Sequence, residues 1–227
     1  MSKDSAKSVL DGAVATLEAL DATYKQIFPV EKPSDAAKSF RDGDYLMQNP
    51  VVEGVVSASL DAVAQALGDI KTLQTFITLH VPQMEDGNNF GVTIQMAALE
   101  HFQKTAEALQ KQMDELPKYY SSRADAMDKL NLPTETESET KKEDQENNDA
   151  VKTTTSKEVK KSGAKTMSPH RVQAVYAVDV QFYMAAKRAF RSVHSAYITN
   201  VDFVLKNKDK IEMPKGRSGS TGYSGMY

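Results

Sequence analysis

PVVEGVVSASLDAVAQALGDIKTLQTFITLHVP, residues 50–82, sets apolar side chains at Val52, Val55, Val56, Leu60, Val63, Leu67, Ile70, Leu73, Ile77 and Val81. Steps of three and four put them on one stripe of an α-helix, not on the alternating faces of a strand. Proline marks both limits. Pro50 falls at the first helical turn, where a missing N–H costs nothing. Pro82 pushes Val81 out of the helical region and ends the run. A helix over 51–81 follows, and its apolar stripe has to be covered by other helices.

Three more stripes are available to cover it. Toward the N-terminus, Leu10, Val14, Leu17, Leu20, Tyr24, Ile27 and Phe28 predict a helix over about 5–28, stopped by Pro29. Downstream, Val92, Met96, Leu99, Phe102, Ala106, Leu109, Met113, Leu116, Tyr120, Ala124, Met127 and Leu130 predict one over about 92–131. Pro117 lies within it and should kink it, at about 3 kcal/mol unless accommodated. The fourth begins at Ser168-Pro169, a cap followed by an N1 proline, and runs over about 168–209. Its stripe is Val172, Val175, Tyr176, Phe182, Ala186, Phe190, Val193, Tyr197, Val201 and Val204. No strand pattern or flanked hairpin turn competes.

The expected fold is therefore all-α, an elongated up-down four-helix bundle whose last two helices reach about 60 Å. Such a topology places the loop 82–91, the N-terminus and the C-terminal tail at one end, and the connections 29–50 and 131–168 at the other. A chain of 227 residues allows one domain, and 40% hydrophobic residues with 11 Gly and 8 Pro suit a globular helical one. The absence of cysteine excludes disulfides, thiolate nucleophiles and Cys-ligated metals. A net charge of −3 gives no basic excess for nucleic acid. The N-terminus has no signal-peptide h-region, and no uninterrupted run of 18 apolar residues suggests a membrane span.

Two segments fall outside the helices. Residues 134–150 hold seven acids and two lysines, and 151–167 hold five lysines and one glutamate. Too few apolar groups are present to offset the entropy of ordering, so 134–167 reads as a disordered charged insert. Residues 214–227, PKGRSGSTGYSGMY, read as a flexible tail.

Chemistry is hard to place on this chain. His80, His101, His170 and His194 form no HExxH and share no helical face with carboxylates at ligand spacing. There is no strand to carry a phosphate loop, no G-x-S-x-G, and Asp114-Glu115 is an ordinary solvated pair. No catalytic residue, metal or cofactor is expected. The loop PQMEDGNNFG is different. Asp86-Gly87 and Asn88-Asn89 suit a tight turn, and Asn89 could cap the next helix. Yet ten residues with Met84 and Phe90 exceed what a minimal helix–helix connection needs.

VPQMEDGNNFGVTIQ at 81–95 resembles the activation-loop segment of the 11S regulators, the REG family of ring-shaped proteasome activators. The resemblance continues through PKYYSSRADAM at 117–127, SPHRV at 168–172 and HSAYITNVDFVLKNKDKIEMPKGR at 194–217, and the terminal Gly225, Met226 and Tyr227 look like the family's C-terminus. It implies an ATP-independent, non-catalytic activator of the 20S core proteasome, cytoplasmic and/or nuclear, assembled as a homoheptameric ring around a channel. It implies that Gly225, Met226 and Tyr227 form a docking tail whose terminal carboxylate enters a pocket between proteasome α-subunits. It also implies that Glu85, Asp86, Gly87, Asn88, Asn89, Phe90 and Gly91 form the gate-opening loop, with Asn88 matching an asparagine the family needs for activation. Two departures stand out. The charged insert lies between helices three and four rather than one and two, and Pro117 interrupts helix three. A generic helical adaptor uses the same stripes and is the competing reading; neither nucleic acid nor membrane is expected as a partner.

Overall fold

The computed structural model describes residues 3–83, 89–130 and 168–216, together with the backbone of 136–141 and 155–160. The elements in chain order are α1 (Lys3–Ile27), α2 (Pro33–Arg41), α3 (Pro50–Leu79), α4 (Phe90–Glu115), α5 (Lys118–Asp128), β1 (Thr136–Lys141), β2 (Thr155–Lys160), α6 (Pro169–Lys206) and α7 (Lys208–Glu212). α1, α3, α4–α5 and α6 form an elongated up-down four-helix bundle. Asn49, Ser59 and Asp69 of the α3 region meet Asp179, Ala186 and Tyr197 in that order, so α3 runs parallel to α6. Tyr119 and His101 meet Phe182 and Phe203, so α5 and α4 run against it.

The stripe of α3 is buried as its spacing requires. Val52, Val55, Val56, Val63, Ile70, Leu73 and Ile77 are all in the core, against α1, α4 and α6. Each such side chain contributes about 1.5–3 kcal/mol by leaving water. α3 is also long and apolar enough, by length and composition alone, to cross a bilayer. Here its apolar stripe faces other helices. Asn49 caps it, accepting from the Val52 amide at 3.3 Å ahead of Pro50.

Several boundaries differ from the expected ones. The connection 29–50 is not a bare loop at the bundle end. It holds α2, and it runs alongside the first half of α6. α1 has 25 residues and α6 has 38, so α1 stops well short of α6's start. α2 and the turn after it cover the remainder. Phe40 meets the Tyr183 ring edge-on at 5.7 Å, and Tyr176 donates to the Gly43 carbonyl at 2.9 Å. A nine-residue helix burying only Ala36 and Phe40 is too short to show a period.

The third segment is broken into α4 and α5 at Leu116-Pro117. Pro117 has no N–H to give, and the chain tightens there: the Tyr119 and Tyr120 amides reach back three residues, to Leu116 and Pro117 carbonyls at 3.2 and 3.4 Å. The stripe shifts with it. Tyr119 is buried and Tyr120 is 53% exposed, the reverse of the expected assignment. Asn207 likewise ends α6 before α7 begins, its amide nitrogen Nδ2 donating to the Phe203 carbonyl at 2.9 Å.

The insert contains strands where none was expected. β1 and β2 pair antiparallel, with Thr136 opposite Lys160, Glu139 opposite Lys157 and Lys141 opposite Thr155. Threonines at 134, 136 and 140 and the run 153–155 suit strands better than helices, a weak signal that the charge count masked. The remainder of 134–167 lies outside the described residues.

Candidate functional site

The end of the bundle where α3 turns into α4 collects the loop stems and the root of the tail. His80 closes α3, its amide reaching the Ile77 carbonyl at 2.9 Å, and its ring packs at a tilt against Phe76 with centroids 4.4 Å apart. Leu79 is 69% exposed beside it. The second stem starts at Asn89, whose carbonyl accepts from the Thr93 amide at 3.0 Å and from Thr93 Oγ1 at 3.2 Å. Asn89 takes the cap position, but its side chain makes no capping bond. Its ψ of 13° is not the extended geometry that aims a cap side chain at the helix.

Gly91 lies close against the root of the tail. A Cβ built there would sit 2.2 Å from the Pro214 carbonyl oxygen and 2.4 Å from its Cα. Only a residue without a side chain lets the tail root cross so near the start of α4. Phe90 is 60% exposed, with Lys210 Nζ 5.6 Å from its ring centroid. This pairing again joins the loop stem to α7.

One residue, itself on α4, joins the ends of α3 and α7 at this junction. Gln95 is fully buried on α4, and its Nε2 donates to the His80 carbonyl at 2.9 Å and to the Ile211 carbonyl at 2.7 Å. Both acceptors are carbonyls at helix ends, which lack a partner within their own helix. The sequence stripe had placed Met96 inward here, and Met96 is 54% exposed. The available signal was a glutamine at i+3 from Val92, one position off the apolar phase.

Of the loop residues nominated from sequence, Asn89, Phe90 and Gly91 are placed at this junction. Glu85, Asp86, Gly87 and Asn88 lie outside the described residues, as do Gly225, Met226 and Tyr227. Among the described residues no three His, Asp or Glu side chains gather as a metal site.

The opposite end is held by charge. Asp179 is buried on α6 and accepts from Tyr119 Oη at 2.9 Å, Arg123 Nε at 3.0 Å and Asn49 Nδ2 at 3.2 Å. Further along α6, Lys187 donates to the Val30 carbonyl at 2.8 Å and pairs with Glu31 at 2.9 Å. The hydrogen bond from Lys187 holds the Glu31 carboxyl below its ordinary range. These groups fix the far connections.

Fold and site together define a long helical bundle that gathers the two stems of loop 82–91 and the root of the tail at one end. The family model described as proteasome activator PA28, C-terminal, matches residues 46–156. Human proteasome activator complex subunit 3 is 24% identical over 155 residues, covering 67% of this chain and 47% of its own, and the mouse protein gives the same figures. The chain thus spans about half the length of the curated relatives it matches. Among solved structures, the 11S subunit of the Plasmodium falciparum proteasome, PA28, aligns with a TM-score of 0.62 at 19% identity, covering 93% of this chain and 90% of that one. A complex described as archaebacterial 20S proteasome with PA26 aligns with a TM-score of 0.68 at 17% identity, covering 97% and 93%. The resemblance to the 11S regulators is borne out, and the chain has their fold.

Proposed function

We propose that this chain is a non-catalytic, ATP-independent activator of the 20S core proteasome. Identical chains associate into a heptameric ring. The tails ending in Gly225, Met226 and Tyr227 dock it, and loop 82–91 holds the gate of the α-ring open. One observation carries the reading: the second stem of the loop and the root of the tail touch at Gly91 and Pro214. A protein that must grip with one segment and push with another needs both at one end, at fixed separation. A single tail binds weakly, whereas a ring of tails gains avidity through effective concentration. A head-to-tail ring also accounts for apolar groups left open on the bundle's flanks, such as Val14, Val51 and Ile198.

The test combines two measurements on the purified chain. Light scattering should give about seven times the 25.0 kDa monomer mass. Added to latent 20S proteasome without ATP, the ring should raise fluorogenic peptide hydrolysis several-fold. A stable monomer at micromolar concentration that leaves hydrolysis unchanged sinks the proposal.

A further inference from the structure

Gln95 is an expensive choice for its position. A buried glutamine on an apolar stripe has to satisfy two donors and an acceptor away from water. Its two N–H groups are used, but among the described residues Oε1 has no partner. A residue serving only to pack α4 against the core would be better apolar. What the amide does that leucine or methionine cannot is hold two carbonyls that belong to different segments. One belongs to His80, the residue that caps the end of α3; the other belongs to Ile211, three residues before Pro214. The two N–H bonds of one planar carboxamide diverge at a fixed angle, so the acceptors they hold are held at a fixed distance from each other. Gly91, one turn earlier on α4, receives the tail root against its bare backbone.

We infer that Gln95 is a positioning residue that locks the loop stem and the tail root into one rigid unit, setting where the loop stands once the tail is docked. This rests on the function proposed above. The tail then determines more than whether the ring is held. Through Ile211, Gln95 and His80 it determines where the loop meets its target. Loss of the link leaves both parts present but uncouples their positions.

The test uses the full-length chain and 20S proteasome, with co-sedimentation and peptide hydrolysis measured side by side. Gln95→Met keeps the length of the side chain and removes both donors. Its rings should bind with a half-saturating concentration within about twofold of wild type, while maximal stimulation falls several-fold. Gly91→Ala reaches the same junction without removing a hydrogen bond, since its methyl group displaces Pro214, and should give the same split. Variant rings that stimulate as well as wild type overturn the inference. So does a loss of stimulation that merely tracks a loss of binding. Should Gln95→Met fail to assemble, Gly91→Ala carries the same readout; failure of both to assemble assigns the junction to folding alone and also overturns it. Wild-type rings that never stimulate hydrolysis refute the activator reading itself, before any variant is compared.

Discussion

Arg123 on α5 and Asp179 on α6 meet at 3.0 Å, with 12% and 3% of their side chains exposed. The same guanidinium reaches across to the Tyr45 and Met47 carbonyls at 3.1 and 2.6 Å. One ion pair thus ties α5, α6 and the chain leading into α3. Removing one partner leaves a buried charge without its counter-charge, which costs about 3–5 kcal/mol. Arg123→Met and Asp179→Leu should each lower Tm sharply, and the double variant should lose less than the two single losses added together. The exposed pair Lys104–Glu100 should be silent in the same melts.

Alkaline stability should depend on two buried tyrosines. Burial is the main reason the Tyr119 and Tyr197 hydroxyls hold their protons well above the ordinary value of 10.0, reinforced by Asp179 and Asp69 respectively. The folded chain therefore favours the neutral phenol. That contribution is complete below pH 10 and is lost as pH rises above it, because the unfolded tyrosines then ionise while the folded ones do not. Tyr197→Phe should cost about 1–3 kcal/mol at neutral pH by stranding Asp69. Denaturant titrations between about pH 8 and pH 11 should show a shallower alkaline fall for that variant than for wild type.

Docking and gate opening should separate by mutation. Deleting Met226 and Tyr227 alters every tail of a ring, so avidity multiplies the loss and co-sedimentation with 20S proteasome should fail, taking stimulation with it. Asn88→Tyr leaves the tails intact. It should still assemble, bind and compete with wild type, yet fail to raise peptide hydrolysis. If Asn88 serves only a turn, the variant instead loses about 1 kcal/mol of stability and activates fully.

The charged insert should be dispensable for activation. We propose that 134–167 takes no part in docking, since the fold puts its two junctions, after α5 and before α6, at the end opposite Gly91 and Pro214. A chain with these residues replaced by a short linker should form rings and stimulate hydrolysis close to wild type. A linker variant that assembles but no longer stimulates would place the insert in the active machinery.

What could be read from sequence follows from what each signal averages over. The stripes of α3 and α6 span many turns, and Pro50 and Pro169 mark their starts, so both were legible. α2 was not, because two buried residues, Ala36 and Phe40, make no period. Near Pro117 the apolar phase slipped by one residue, from Tyr120 to Tyr119, because the chain tightens in the turn that runs from Leu116 to Tyr120. Asn89, Phe90 and Gly91 were found through a resemblance of the whole loop, whereas Gln95 was hidden: a polar residue one step from a methionine looks outward until its two acceptors are known. Gly91 was read as part of a motif, and its reason, the close passage of Pro214, is a long-range contact that no local pattern encodes.

The pairing of Lys141 with Thr155 has a consequence for how the chain can vary. That rung holds Lys141 and Thr155 side by side. For a flexible loop, each doubling of length beyond such a closure costs only about 0.6 kcal/mol. Extra sequence grafted between the strands would be felt by a six-residue ladder and not by the helices. The bundle's dimensions are set by the packing of α1, α3, α4–α5 and α6 on one another, whereas this one rung offers a splice point where composition and length can change with the helices untouched.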